Sequence, residues 1–299
     1  MYTRILVPLD QSKMGEQVLP YATLLANSLG AKVELLSVIE PPPDLPSESS
    51  YRSYMDQVTV NLLVEAEGYL EKVKSSLSGD GTDVSITVVE GDSISVIENE
   101  AGGDPSTLIT MCSHGRSGQT RWWLGSTTDR LIHTTSNPVL VVRAQEERTL
   151  NRQARLTECI VPMDGSAHSE QIIPHVVTMA KALGLKVVLT RIISERDSHF
   201  FEIFPEAQEE DREGRASAYL DDVGEMLRLQ GVANVETRIL HGHPANALAD
   251  LAVETPDSLV AMTTHGLGKS AIYRWTVGSV TQRVVGSSKN PVLVLPPNL

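Results

Sequence analysis

Four short words recur in the same order in the two halves of the chain, and this repetition narrows the possible folds more than any other property of the sequence. ILVPLD at 5–10 answers CIVPMD at 159–164, an offset of 154 residues, and SHG ending at Gly115 answers THG ending at Gly266, an offset of 151. RWWLGS at 121–126 answers RWTVGS at 274–279, and NPVLVV at 137–142 answers NPVLVL at 290–295, both offset by 153. Duplication of one folding unit accounts for four ordered words at nearly one spacing. The period is too long for a solenoid, and 299 residues suit two domains of ordinary size. The expected domains are 1–146 and 155–299, parted within AQEERTLNRQARLT at 144–157, where apolar periodicity stops and charge dominates.

Within each half, β-branched runs alternate with longer stretches of helical period, the pattern of βαβ units around a parallel sheet. In the first half the strand candidates are RILVPL, KVELLSVI, DVSITVVE, TLITMC and PVLVVR. Between them, 13–29 carries Val18, Ala22, Leu25 and Leu29 on one helical face, and 56–77 carries Leu63, Ala66, Leu70, Val73 and Leu77. A third helix is expected after Asp92 and a fourth near Ser126. The fold class is therefore α/β: two tandem five-stranded parallel-sheet domains with helices on both faces, Rossmann-like in kind. Ligands of such sheets bind beyond the carboxyl ends of the strands, where the strand order reverses.

The net charge of −13 opposes nucleic acid and anionic lipid, so neither is an expected partner. Two cysteines, Cys112 and Cys159, are too few for a disulfide framework and fit a reducing cytosol. The opening MYTRILVPLDQSK lacks a signal-peptide core, and no run of about 18 apolar residues exists to span a bilayer, so a cytoplasmic location is expected.

Chemistry is expected at two places in each half. The first strand ends in Val-Pro-x-Asp, which sets Asp10, and in the other half Asp164, on the ligand side; either could equally form an Asx turn or cap the next helix. The fourth strand runs into a glycine-bearing loop and then a helix start at Gly125 and Ser126, where backbone amides and the helix dipole suit a phosphate. Arg116 and Arg121 could add charge there. The plain alternative is a capping box, Ser126 with Asp129 and Ser279 with Gln282.

Other motifs are weaker. TTHGLGKS at 263–270 misses the first glycine of a phosphate-binding loop, and GLGKSA follows the wrong strand for a dinucleotide fingerprint. His241 with His243, and Cys112 with His114, lack further ligands for a structural zinc, and no GxSxG elbow occurs. Trp122 and Trp275 occupy matching positions suited to packing of the loop or to a subunit contact. The segment 194–215 breaks the symmetry, holding Phe200, Phe201 and Phe204 within an acidic run, and reads as a lid, a partner site, a disordered stretch, or cover for a helix.

The ordered set of a V-P-x-D strand end, an [ST]-H-G loop, a Gly-Ser pair ten residues beyond that glycine in the first half and twelve in the second, and a closing NPVLV strand resembles the universal stress protein family, in both halves. The resemblance implies an adenine nucleotide alpha hydrolase-like fold and, in the nucleotide-binding branch, the pattern G-x2-G-x9-G-[ST]. In the first half Gly115, Gly125 and Ser126 match it and Cys112 stands at its first glycine; in the second, Gly266, Gly278 and Ser279 match, Thr263 stands at the first glycine, and two extra residues lengthen the loop. The implied nucleotide contacts in the first half are Pro8, Leu9, Asp10, Val38, Cys112, His114, Gly115, Arg116, Gly118, Gly125, Ser126 and Thr127. Their counterparts are Pro162, Met163, Asp164, Ile192, Thr263, Gly266, Gly268, Gly278, Ser279 and Val280. GHP at 242–244 keeps the family's G-x-P, whereas the first half has Gly91, Asp92 and Ser93.

The resemblance thus implies a stress-response ATP-binding protein acting as a ligand-dependent switch, at most a slow ATPase, with adenine against Val38, phosphates on the amides of Gly115, Gly125 and Ser126, and Asp10 at the ribose or on Mg2+ held through the phosphates. A protein of the same fold that binds partners but no nucleotide, and an enzyme cutting between the α and β phosphates, are the other two readings. Family members pair fifth strands edge to edge, so an intramolecular pseudo-dimer of the halves is expected, with a homodimer of the whole chain compatible with it.

Overall fold

A computed structural model describes residues 2–40, 49–77, 81–102, 104–113, 124–144, 153–194, 205–264 and 279–296. Two compact units divide the chain, with the break between Ala154 and Arg155.

In the first unit, the β-branched runs become β1 (Arg4–Pro8), β2 (Lys32–Ile39), β3 (Val84–Glu90), β4 (Thr107–Cys112) and β5 (Val139–Val142). All pair in parallel, in the order β3-β2-β1-β4-β5, so the strand order reverses between β1 and β4. Every residue of β4 and β5 is buried, which explains why these strands read as unbroken apolar runs without alternation. The helices are α1 (Leu19–Leu29), α2 (Ser49–Leu77), α3 (Ser93–Gly102) and α4 (Ser126–Thr134). Right-handed crossovers place α1 and α2 on one face and, after the reversal, α3 and α4 on the other. Leu25 and Leu70 seal the first face and Ile97 and Leu131 the second, all essentially inaccessible.

Two helix starts differ from expectation. The stretch 13–29 is not one helix: Gly15–Val18 forms a 3-10 turn, and the α-helical ladder opens at Leu19. Pro20 lies in its first turn, where a residue without an N–H costs nothing, and it cannot donate to an earlier turn. Gly30, left-handed at φ +65°, ends the helix. The second helix begins at Ser49, seven residues before the expected position 56, so part of the proline-rich stretch is helical. Of the expected faces, Val18, Ala22, Leu25, Leu29, Ala66, Leu70 and Val73 are buried, and Leu63 and Leu77 half-buried.

The second unit repeats this plan. Its strands are β6 (Glu158–Pro162), β7 (Lys186–Ile193), β8 (Val235–His241), β9 (Ser258–Thr263) and β10 (Val292–Leu295), all parallel, in the order β8-β7-β6-β9-β10. The helices are α5 (Ile173–Leu183), α6 (Pro205–Leu229), α7 (Pro244–Glu254) and α8 (Ser279–Ser287). Of the asymmetric segment, 205–215 forms the opening turns of α6, while Phe200, Phe201 and Phe204 lie outside the described residues. Trp122, Trp275 and Arg121 also lie outside them.

The closing NPVLV word owes its asparagine to structure. Asn137 Nδ2 donates to the carbonyls of Asp104 and Thr107, each at 3.2 Å, and Asn290 Nδ2 donates to those of Ala252 at 2.6 Å and Thr255 at 3.0 Å. One side chain in each unit thereby clasps the last strand to the turn before the fourth. No helix among the described residues is long and apolar enough to cross a membrane.

Candidate functional site

Strand reversal leaves a crevice above the carboxyl ends of β1 and β4, because the connections leave them in opposite directions. In the first unit this crevice is a cleft of about 700 Å3, within the range usual for small-molecule sites. Pro8, Leu9 and Asp10 enter from β1, Val38 from β2, Cys112 from β4, and Gly125, Ser126 and Thr127 from the start of α4. Eight of the expected contacts, drawn from four elements, thus line one cavity. His114, Gly115, Arg116 and Gly118 lie outside the described residues.

Asp10 Oδ1 accepts the Ser12 amide at 3.1 Å and the Ser12 hydroxyl at 2.6 Å, and Ser12 Oγ in turn accepts the Gly15 amide at 2.9 Å. This is an Asx turn, and it holds the carboxylate at the strand's end. It also explains Gly15: a Cβ there would fall 2.7 Å from Asp10 Oδ1. Gln11 between them takes a left-handed φ of +65°, uncommon for a residue with a side chain. The second unit repeats the turn, with Asp164 Oδ1 accepting from the amide and hydroxyl of Ser166 at 3.0 and 2.6 Å. There Gly165 holds the left-handed position, at φ +77°.

At the other wall, Thr128 Oγ1 donates to the Cys112 carbonyl at 3.1 Å and ties the first turn of α4 to the end of β4. The amide of Gly125 is already engaged, donating to Ser113 O at 2.7 Å, which corrects the expectation that it is offered to a phosphate. The first intrahelical bond runs from Asp129 N to Gly125 O; the amides ahead of it in the first turn have no partner within the helix. The Ser126–Asp129 capping box does not form. Gly125 is the cap residue, no side chain caps the helix, and Asp129 lies 3.8 Å from His133 instead.

Several lining residues escaped the sequence reading, among them Ser37, Glu40, Leu62, Glu65 and Ser93. Leu62 and Glu65 come from α2, which at 29 residues is about 44 Å long and outruns the strands beneath it. Apolar periodicity reports the stripe facing the sheet and is silent on turns that overhang it. The described lining carries three carboxylates, Asp10, Glu40 and Glu65, and no lysine or arginine.

The second unit has a smaller cleft, about 340 Å3, at the end of β7. Of the residues expected there only Ile192 lines it; Pro162, Met163 and Asp164 end β6, Thr263 ends β9, and Val280 lies in α8, all outside this lining. Gly266, Gly268 and Gly278 lie outside the described residues, as does the side chain of Ser279. Instead Arg191, Arg212 and Arg215 line the cavity. Among the described residues no group of three or more histidine, cysteine or acidic side chains could hold a metal, and His241 lies 3.0 Å from Glu213.

The sequence model of the universal stress protein family matches residues 1–143 and again 157–296. A universal stress protein of Mycolicibacterium smegmatis is 26% identical over 295 residues, covering 98% of this chain and 97% of its own length. One from Methanocaldococcus jannaschii is 29% identical over 145 residues, 48% of this chain and 83% of its own. A crystal structure of a universal stress protein from Archaeoglobus fulgidus superimposes with a TM-score of 0.71 at 20% identity, covering 97% of both chains, and so shares the fold. Two matched segments, each carrying the reversed parallel sheet described above, establish that the chain belongs to the universal stress protein family.

Proposed function

We propose that the first unit binds an adenine nucleotide, ATP, as the ligand of a stress-response switch, hydrolysed at most slowly. The observation that carries this reading is the convergence of Pro8, Leu9, Asp10, Val38, Cys112, Gly125, Ser126 and Thr127 on one cleft of about 700 Å3. Adenine would pack beside Val38, with the ribose near Asp10 and the phosphates toward the first turn of α4, whose dipole favours negative charge. Three carboxylates in the described lining repel a bare triphosphate. A divalent cation between phosphate and carboxylate oxygens removes that repulsion, so the ligand is proposed as the magnesium complex, with Asp10 the residue to hold the ion. Such an ion would supply charge neutralisation; the chain's own part is to shape the slot and to fix Asp10 through Ser12.

Equilibrium dialysis of the full chain against ATP, with and without EDTA, tests this. Uptake of one nucleotide, lowered at least tenfold by EDTA and by Thr127→Glu, is expected. Thr127 lies in the first helical turn, where a glutamate suits the helix and not a phosphate. No uptake at millimolar ATP would overturn the reading. A partner-binding protein without nucleotide is favoured by one observation, that the Gly125 amide is spent on Ser113; that reading gains if dialysis fails while the fold is intact.

A further inference from the structure

The helices that wall the two clefts align residue for residue at an offset of 150. Ala66, Leu70 and Val73 of α2 answer Ala216, Leu220 and Val223 of α6, all buried. Tyr69 donates its hydroxyl to Glu16 at 3.3 Å, and Tyr219 donates to Glu170 at 3.0 Å, so the two helices are pinned the same way. In that register Leu62 answers Arg212 and Glu65 answers Arg215, while β2 and β7, offset by 154, set Ser37 against Arg191. Each member of these three pairs lines the cleft of its own unit. An apolar, an acidic and a hydroxyl side chain have all been exchanged for arginine.

The exchange inverts the chemistry of the cavity. The described lining of the first cleft has carboxylates and no lysine or arginine; that of the second has three arginines and no carboxylate, in a chain of net charge −13. Arg191 donates Nη1 to the Met163 carbonyl at 3.3 Å, and among the described residues no carboxylate pairs with it. Its guanidinium packs against Gly165, where a Cβ would lie 3.4 Å from that nitrogen; the first unit has Gln11 at the matching position. Arg191 thus stands where the first unit has Ser37, one residue before Ile192, the counterpart of Val38. Several planar donor forks around one small cavity match the oxygens of phosphate.

We propose that the cleft of the second unit binds a compact phosphate-bearing anion, held by Arg191, Arg212 and Arg215, and that the two units therefore carry different ligand chemistries. This stands apart from nucleotide binding by the first unit, since it uses other residues and other probes. Calorimetric titration of the full chain with inorganic pyrophosphate, and separately with ribose 5-phosphate, tests it and separates an inorganic ligand from a phosphate ester. At least one probe is expected to bind, more weakly as salt rises, and to lose at least tenfold in affinity in Arg191→Ser and in Arg212→Leu/Arg215→Glu, which install the residues of the first cleft. Arg212 is half-buried and Arg215 exposed, so the double variant keeps the fold even if Arg191→Ser does not, and Thr127→Glu should leave the affinity unchanged. The proposal is overturned if neither probe binds at millimolar concentration, or if binding survives the double variant or disappears in Thr127→Glu.

Discussion

Thr128 Oγ1 sits 3.1 Å from the carbonyl oxygen of Cys112, and Thr281 Oγ1 sits 3.1 Å from that of Thr263. In both units a buried threonine hydroxyl thus couples the first turn of the fourth helix to the end of the fourth strand. Thr128→Val removes the donor while keeping the shape. A net loss of about 1 kcal/mol is expected, read as a lower denaturant midpoint at unchanged slope, and any ligand that needs α4 in place should bind more weakly.

Thr110, in the middle of β4, is fully buried, and its hydroxyl has no hydrogen-bond partner among the described residues. The second unit has Ala261 at this place in β9. An unpaired buried hydroxyl costs roughly 1–3 kcal/mol, so Thr110→Val should raise stability by about 1 kcal/mol in the same denaturation experiment.

At the amino ends of the strands in the second unit, Glu236 accepts from Arg238 and lies 2.6 Å from Lys186. The hydrogen bonds from these two cations lower its pKa from 4.5 to about 2. A carboxylate depressed on folding stabilises fully above its unfolded value and loses that contribution as pH falls from about 4.5 toward about 2. Because the side chain is 38% exposed, screening reduces the effect to about 1 kcal/mol or less. Glu236→Gln should therefore lower stability at pH 7 by that amount and flatten its decline between pH 5 and pH 2.

Cys159 is completely buried in β6, and burial pushes its thiol up to about 12. Thiolate is the reactive form. In a Cys112→Ala variant, an aromatic disulfide reagent at pH 8 should label no thiol in the native protein and one in guanidinium. Rapid native labelling would show that the strand opens.

How much of this was legible beforehand depends on what each residue answers to. The strands and their parallel order could be read because burial on both faces demands continuous apolar runs, as in Leu108, Ile109 and Met111. The repeat words turn out to be main-chain fixtures: Asp10 and Asp164 in Asx turns, Asn137 and Asn290 as clasps. The start of α1 was not legible, because a 3-10 turn at Gly15–Val18 satisfies the same apolar spacing as a helix. The arginine-lined cleft was hidden for a different reason. Arg191 aligns with Ser37 at the 154 of β2 and β7, but Arg212 and Arg215 align with Leu62 and Glu65 only when α2 and α6 are matched at 150, a shift that the tyrosines Tyr69 and Tyr219 reveal.

The overhanging turns of α2 and α6 have one more implication. A residue on them touches the cavity without helping to seal the sheet, so its replacement alters what is recognised at little cost to folding. Duplication then gave this protein a spare panel on which charge could be rewritten while Asp164, Asn290 and Thr281 kept the second frame standing. Selectivity and architecture evolve here on separate parts of the same chain.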